Sequence, residues 1–475
     1  MASIKKHKCY IGGEFIATKD HHPVLNPYTL ETIAAMPLTG ENLLDKALDS
    51  ATDSFKTISS MKRYERSEIL HRIEQGIGKN ADELANLICA EGGKPITFAR
   101  GEVSRSRVTS KWAAEEAVRF GGELLPLDIH PGARDFTSIV RRFPIGVTLA
   151  VSPFNFPLNL VMHKLAPAIA VGCPVIIKPS SETPLTALKL AEICHDAGCP
   201  PGSVNVVPCR GSAFERLVKN QAPAMLSFTG SAEVGWKLKS VSGRKRIALE
   251  LGGNAGVVVH EDADLDFAAR RTAFGGFAHA GQVCIAVQRV FVHDKIYKKF
   301  LEMLLKECRK IKSGDPADTK TVVGPMITPS EADRIEAWID AAIADGATVL
   351  LKGKRKGSVV SPTVLSDVKK KSRVYCDEIF GPVITVHKYK TWDQAIDGVN
   401  DSIYGLQAGI FTNDIKRVNQ AYKSIETGAL IVNDIPTVRV DNYPYGGTKE
   451  SGIGREGVRC TMDEMTEERV LVLRF

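Results

Sequence analysis

Between residues 55 and 120 apolar positions recur at three- and four-residue spacing, most regularly through 69–77 and 84–90, and this spacing predicts helices. The rhythm changes at GGELLPLDIHPGARDFTSIVRRF (121–143). There apolar and polar residues alternate on both sides of a Pro-Gly pair, which predicts a long β-hairpin. Beyond it, short apolar runs of strand length alternate with segments of helix length. Strands are expected at 147–151, 174–178, 204–207 and 225–228, with helices at 158–171, at 183–197 and from 231. Successive βα units with short, wholly apolar strands imply a parallel sheet covered on both faces. A second series runs from 256 to about 431, with buried strands expected at 257–259, 290–292 and 348–351. The chain ends in RVLVLRF, an alternating strand with no partner nearby in sequence. That strand and the hairpin present edges that a second subunit would cover.

At 475 residues the chain exceeds the size at which one hydrophobic core stops growing, so two or three domains are expected. The net charge of +7 is small for this length, and the basic runs at 5–8, 244–246, 352–356 and 369–371 fall between periodic segments without interleaved aromatics. They read as solvated loop faces, and no nucleic-acid partner is expected. The opening MASIKKHKCYIGGEF has no apolar stretch after its charges, so no secretory leader is expected. The longest apolar run, 158–177, is interrupted by His163 and Lys164, which argues against a membrane span. The cysteines are scattered with no CxxC pair. That is the pattern of reduced thiols in a cytosol, with neither a disulfide frame nor a metal site.

Ligand-binding groups in an open βα sheet gather at the C-terminal ends of its strands. Lys178 closes the predicted strand of KPSSETP, where its ammonium can reach a ribose or a phosphate; a solvated strand-end lysine is the plainer alternative. Phe228-Thr229-Gly230-Ser231 marks a second such end. Gly230 permits a tight turn, Ser231 is an N-cap residue, and the helix beyond offers free N–H groups to a pyrophosphate. An ordinary capped helix reads the same way. No GxGxxG is present, so dinucleotide binding would use a variant of the Rossmann turn. Glu250 ends another apolar strand just before Leu251-Gly252-Gly253-Asn254, either as a general base approachable past the glycines or as a paired structural carboxylate. Asn155, in SPFNFP, lies between two stiffening prolines and is either an oxyanion donor or a turn asparagine. Cys284, in GGFAHAGQVCIA, alone among the cysteines sits among small residues behind a long helical pattern, either as a reachable nucleophile or as a core thiol.

PFNFP, KPSSETP, FTGSAEVG, ELGGN, GQVC, EIFGP and PYGGTKESGIGREG follow one another along most of the chain, and in order and spacing they resemble the aldehyde dehydrogenase superfamily. The resemblance implies an α/β fold with a variant Rossmann cofactor-binding domain (1–120 and 144–249), a second α/β catalytic domain (250–435) and a small β oligomerisation element (121–143 and 436–475). It implies Cys284 as the nucleophile, Glu250 as the base, and Asn155 with the Cys284 backbone N–H as the oxyanion hole. Lys178, Ser181, Phe228, Thr229, Gly230, Ser231, Glu378 and Phe380 would surround NAD or NADP, Glu378 on the nicotinamide ribose. The enzyme so implied is a cytoplasmic homodimer or homotetramer. It would oxidise a small aldehyde to its carboxylic acid with NAD(P)+ and water, through a thiohemiacetal and a thioester. CoA-acylating members typically lack the base glutamate, so Glu250 points to water as the acyl acceptor. An inactive structural protein on this fold would have no use for Asn155, Glu250, Cys284 and Glu378 together.

Many NAD-preferring members of that family carry a glutamate three residues after the KP lysine, where this chain has Ser181. Losing that carboxylate relieves repulsion against a 2′-phosphate, so NADP is expected to be accepted alongside NAD. Phe154 stands where tryptophan is more usual. The stretch NDIPTVRVDNYPYGG brings Arg439 into the loop that often shapes the substrate mouth, and His163 lies about two helical turns past Asn155. Arg439 reads as an anion hook or a salt-bridge residue, His163 as a tunnel group or a satisfied core histidine. The IVND…R.DN.P.GG arrangement looks similar to the branch holding lactaldehyde, sulfolactaldehyde and non-phosphorylating glyceraldehyde-3-phosphate dehydrogenases. A short hydroxylated or anionic aldehyde such as lactaldehyde is therefore expected, with glyceraldehyde 3-phosphate or a semialdehyde as the alternative.

Overall fold

Strand Val175–Lys178 shows how the first sheet is built. Val175 and Ile177 pack on one face against helices Arg63–Lys79, Ile96–Arg119 and Leu185–Asp196, while Ile176 packs on the other beside Leu44 and Leu48 of helix Glu41–Ser60. Strand Thr148–Val151 divides the same way, Ala150 to the first core and Leu149 and Val151 to the second. Helices on both faces are why these strands are apolar throughout instead of alternating. Each of the valine, leucine and isoleucine side chains contributes about 1.5–3 kcal/mol by leaving water.

The computed structural model describes residues 4–475. Its first sheet has eight strands in the order Glu14–Ile16, Cys9–Ile11, Val204–Val206, Val175–Lys178, Thr148–Val151, Met225–Thr229, Arg246–Glu250, Gly452–Ile453. The five from Val204 to Glu250 are parallel. From Thr148–Val151 the chain adds strands outward on one side, then restarts on the other with Met225–Thr229. That reversal makes a switch-point crevice at the C-terminal ends. Helix Asn159–Val171, the apolar run with a histidine and a lysine in it, is buried along its whole length. Among the described residues no helix is long and apolar enough to cross a membrane.

The second sheet has seven strands, ordered Thr348–Leu351, Thr363–Ser366, Val383–Tyr389, Val287–His293, Ala255–Val259, Gln407–Phe411, Ala429–Val432. The expectation of a buried strand at 348–351 is corrected: Thr348–Leu351 is a half-buried antiparallel edge, paired on one side only. The C-terminal strand Thr466–Arg474 has its partner in the hairpin, running antiparallel to Phe136–Pro144, which also pairs with Glu123–Pro126. Leu124, Val470, Val472 and Phe475 on this small sheet are exposed. Of residues 436–475, grouped above as one element, only Thr466–Arg474 joins the hairpin. Gly452–Ile453 extends the first sheet beside Glu250, and Val458 and Met462 of helix Val458–Glu464 enter the first core.

Candidate active site

The two large sheets supply the site from opposite strand ends. The first gives C-terminal ends: Asn155 follows strand Thr148–Val151, Lys178 and Glu250 close theirs, and Gly230-Ser231 follows Thr229. The second gives N-terminal approaches. Gly252-Gly253-Asn254 leads into Ala255–Val259, Cys284 precedes Val287–His293, and Glu378 precedes Val383–Tyr389. The strand-end rule thus finds Lys178, Gly230 and Glu250 but not Cys284 or Glu378.

A strained turn carries Cys284. After helix Leu265–Phe277, three consecutive residues have positive φ: His279 at 53°, Ala280 at 57° and Gly281 at 68°. A Cβ on Gly281 would collide with the Gly381 carbonyl, so both space and conformation demand glycine there. The two non-glycine residues cost about 1–3 kcal/mol each. Gln282 secures the turn, donating to the Pro325 carbonyl (3.2 Å) and accepting from the Ile327 N–H (2.9 Å). The Asn155 amide nitrogen donates to the Gln282 carbonyl (3.0 Å), tying the oxyanion candidate to the cysteine turn and leaving a second N–H on the same nitrogen.

Cys284 and Glu250 line one narrow cavity of ≈ 60 Å³ together with Tyr445, Phe156, Arg105 and Arg439. The Tyr445 hydroxyl lies 3.1 Å from the Cys284 Sγ. Burial pushes the thiol up to about 11, and the tyrosine bond opposes that rise. Arg439 stacks 3.7 Å from the centre of the Tyr445 ring. Glu250 is buried and neither of its carboxyl oxygens has a hydrogen-bond partner. Burial, then the nearby Glu456 charge, holds it well above the usual carboxylate range. Glu456 takes the cations instead, with Lys164 at 2.8 Å and Arg439 at 3.0 Å, and these hold it low despite its burial. Lys164 also donates to Ser227 (3.1 Å) and Thr229 (2.8 Å).

The residues expected to hold a cofactor are spread along the crevice. Lys178 is half-buried, among the described residues bonds only the Pro179 carbonyl (3.1 Å), and has its pKa lowered by burial. Ser181 is half-buried in the turn beyond it. Ser231 occupies the N-cap position of helix Ala232–Val241 but makes no side-chain capping bond, so the expected cap is not formed and its exposed hydroxyl is available to a ligand. Phe228 is buried, and a Cβ on Gly230 would come within 2.6 Å of its ring. Glu378 accepts from the Gly253 N–H (2.9 Å) and is pushed up to about 7 by burial. Phe380 has φ 47° and meets Phe154 edge-on at 5.8 Å.

Of the two substrate candidates, Arg439 reaches the cavity and His163 does not. His163 is fully buried with its Nε2 2.8 Å from Asp441, while its Nδ1 finds no partner among the described residues. Asp441 also receives Arg105 in a bidentate pair at 2.6 and 3.1 Å, and His163 and Arg105 hold its carboxyl low against the effect of burial. Sequence reasoning missed Tyr445, Arg105, Lys164, Glu456 and Asp441. Lys164 had a usable signal, a cation inside an apolar helical run. Tyr445 and Glu456 lay within a quoted motif that gave them no role. Among the described residues no group of three His, Cys, Asp or Glu could hold a metal ion.

The chain is 42% identical over 476 residues to a 3-sulfolactaldehyde dehydrogenase of Priestia aryabhattai, covering 100% of this chain and 99% of the relative. Its fold matches the crystal structure of aldehyde dehydrogenase 21 from Physcomitrella patens in complex with the reaction product succinate. That match has TM-score 0.97 and 41% identity, covering 100% of this chain and 99% of the other. It also matches a glyceraldehyde-3-phosphate dehydrogenase from Methanocaldococcus jannaschii complexed with NADP, with TM-score 0.93 and 37% identity over 96% of this chain and 100% of that one. Residues 15–471 fit the sequence pattern described as the aldehyde dehydrogenase family. With that match and these relatives, the chain belongs to the aldehyde dehydrogenase family of oxidoreductases.

Proposed function

We propose that the protein oxidises a short aldehyde bearing an anionic group to the carboxylic acid, with NADP or NAD as electron acceptor and water as acyl acceptor. The observation that carries this reading is the pair of arginines in the Cys284 cavity. Both line that space, Arg439 paired with Glu456 through Nη2 and 3.6 Å from Asp441 through Nε, and Arg105 spending only its Nε and Nη2 on Asp441 so that its other N–H groups remain for a ligand. A guanidinium with unused donors suits a carboxylate, sulfonate or phosphate. The three relatives above are named for a sulfonated substrate, a dicarboxylate product and a phosphorylated substrate.

The chemistry follows from groups on the chain. The Cys284 sulfur, once deprotonated, bonds to the aldehyde carbon, and the carbonyl oxygen becomes an alkoxide that the second Asn155 N–H and the Cys284 backbone N–H stabilise. Bound nicotinamide supplies the acceptor for the hydride that leaves this tetrahedral carbon. The product on the enzyme is a Cys284 thioester. Glu250, unpaired and of raised proton affinity, takes a proton from water, whose oxygen displaces the sulfur and releases the acid. The uncapped start of helix Ala232–Val241 fits a pyrophosphate, Lys178 and Glu378 fit ribose hydroxyls, and Ser181 leaves room for a 2′-phosphate. The exposed apolar residues of the three-stranded sheet support a homodimer or homotetramer, and ten free cysteines support a reducing, cytosolic setting.

Initial rates of cofactor reduction with succinic semialdehyde, glyceraldehyde 3-phosphate and neutral lactaldehyde test the reading. One charge-assisted hydrogen bond contributes about 1.5–3 kcal/mol, so Arg439→Met should lower kcat/KM for the preferred anionic aldehyde by about 10- to 100-fold. Lactaldehyde should lose clearly less, since it shares only the effect of Arg439 on Glu456 and Glu250. A wild-type preference for lactaldehyde, or an equal loss for charged and neutral substrates in the variant, would overturn it.

A further inference from the structure

Two adjacent parallel strands end in the loops that carry the proposed chemistry. Thr148–Val151 leads through Asn155 to helix Asn159–Val171, and Val175–Lys178 leads through Ser181 to helix Leu185–Asp196. A helix start leaves N–H groups without partners, usually met by the helix's own N-cap side chain. Neither helix has one: the N-cap residues are Leu158 and Pro184, with no side-chain capping bond.

Each start is instead held by a buried glutamate from elsewhere in the chain. Glu102, on helix Ile96–Arg119, accepts through one oxygen from the Leu158 N–H (2.9 Å) and the Asn159 N–H (3.1 Å). Its other oxygen binds Lys94 at 2.5 Å, and that ammonium sits 3.5 Å from the centre of the Phe156 ring, next to Asn155. Glu91, on helix Ala81–Gly92, accepts from the Leu185 N–H (2.7 Å), the Thr186 N–H (2.9 Å) and the Thr186 hydroxyl (2.5 Å). Glu91, Lys94 and Glu102 are each 1–2% exposed, and none lines the Cys284 cavity.

We infer that Glu102 and Glu91 are separate positioning residues, Glu102 setting the Asn155 loop for the chemical step and Glu91 setting the Lys178–Ser181 loop for cofactor binding. The inference rests on the proposed roles of Asn155 and Lys178. Each loop is fixed at one end by a sheet strand and at the other by its glutamate, so releasing one helix start shifts one loop and spares its neighbour. A merely structural role would move both properties together.

The test compares Glu102→Leu and Glu91→Leu in the full-length protein, with NADPH affinity read by fluorescence titration and the chemical step by single-turnover cofactor reduction. A displacement of about 1 Å at a reacting group costs on the order of 100-fold in rate. Glu102→Leu should show a loss of that size with NADPH affinity within about twofold of wild type. Glu91→Leu should weaken NADPH binding about tenfold, from lost placement of one cationic contact, while single turnover at saturating cofactor stays within a few-fold. If Glu102→Leu does not fold, Lys94→Met/Glu102→Gln removes the buried charges and keeps an accepting oxygen on the helix. It should be faster than Lys94→Met/Glu102→Leu by most of the same factor. Parallel changes in both properties for both variants, or no change in either, would overturn the inference. Asn155→Ala is the control. If it leaves single turnover intact, the oxyanion assignment fails, whereas an impaired Asn155→Ala beside an unimpaired Glu102→Leu sinks only the positioning role.

Discussion

Tyr445→Phe removes one oxygen, the hydroxyl 3.1 Å from the Cys284 sulfur, and keeps the ring under Arg439. A hydroxyl donating to a thiolate is a charge-assisted bond of about 1.5–3 kcal/mol. At about 1.36 kcal/mol per pKa unit, its loss raises the thiol by about one to two units, beyond the value of about 11 that burial already imposes. At any pH below that midpoint the thiolate population then falls about 10- to 100-fold. The assay is alkylation of the cofactor-free protein by iodoacetamide across a mildly alkaline range, with the modified peptide quantified by mass spectrometry. Both proteins should show a rate rising about tenfold per pH unit, with the variant's line displaced downward by one to two decades. Cys376 and Cys460, the other half-buried thiols, serve as internal references and should be unchanged. A faster Cys284 in Tyr445→Phe would refute the reasoning. It would mean that the S–H donates to the tyrosine oxygen and that the bond stabilises the thiol instead of the thiolate.

Two further outcomes follow from buried carboxyls. Glu250→Gln removes the proposed base but breaks no hydrogen bond, since neither carboxyl oxygen has a partner among the described residues. Stopped-flow mixing should therefore show an intact burst of reduced cofactor followed by turnover slowed about 10²–10⁴-fold; loss of the burst would place Glu250 before the thioester. Glu91 titrates at about 7 in the fold because of its burial, against about 4.3 in an unfolded chain. A raised folded pKa means that the stability it contributes is complete below about 4.3 and is lost as pH rises through 7, on the order of 3 kcal/mol in all. Thermal unfolding from pH 5 to 8 should show wild type declining relative to Glu91→Gln, and parallel curves would contradict the assignment.

Much of the first sheet was legible because its strands are short Val- and Ile-rich runs between helix-length segments. Thr148–Val151 and Val175–Lys178 lie within a residue of the expected bounds. What failed was long-range. The C-terminal strand looked unpaired because its partner, Phe136–Pro144, lies more than 300 residues upstream. Thr348–Leu351 is apolar enough to look buried, yet an edge exposes the same side chains that a central strand would hide. Cys284 stood out because Gly281 and its small neighbours are local features, whereas the strained backbone that presents it depends on Gly381, Pro325 and Ile327. Glu91 and Glu102 gave no local sign at all. Each sits in an ordinary helical pattern, and its partners are 94 and 56 residues away.

The division of charge around Glu250, the proposed base, explains why the missed residues matter. Glu250 and Glu456 influence each other's ionisation, and two cations, Lys164 and Arg439, lie within reach of both. Both cations bond Glu456 and neither bonds Glu250. One carboxylate is thereby kept ionised and the other is left with raised proton affinity, the arrangement by which neighbouring acids acquire different tasks. A single well-paired glutamate at position 250 would be a weak base, since the cation that stabilised it would also lower its proton affinity. The buried lysine in an otherwise apolar helix and the glutamate of the last motif thus set the proton affinity of Glu250, although neither needs to touch the substrate. Arg439 joins the same network to the cavity: it pairs with Glu456, its Nε lies 3.6 Å from Asp441, and it stacks on the Tyr445 ring beside Cys284. On the proposed reading, an anionic group arriving beside Arg439 would compete with Glu456 and Asp441 for its charge, so that substrate charge and the proton affinity of Glu250 would be coupled through one side chain.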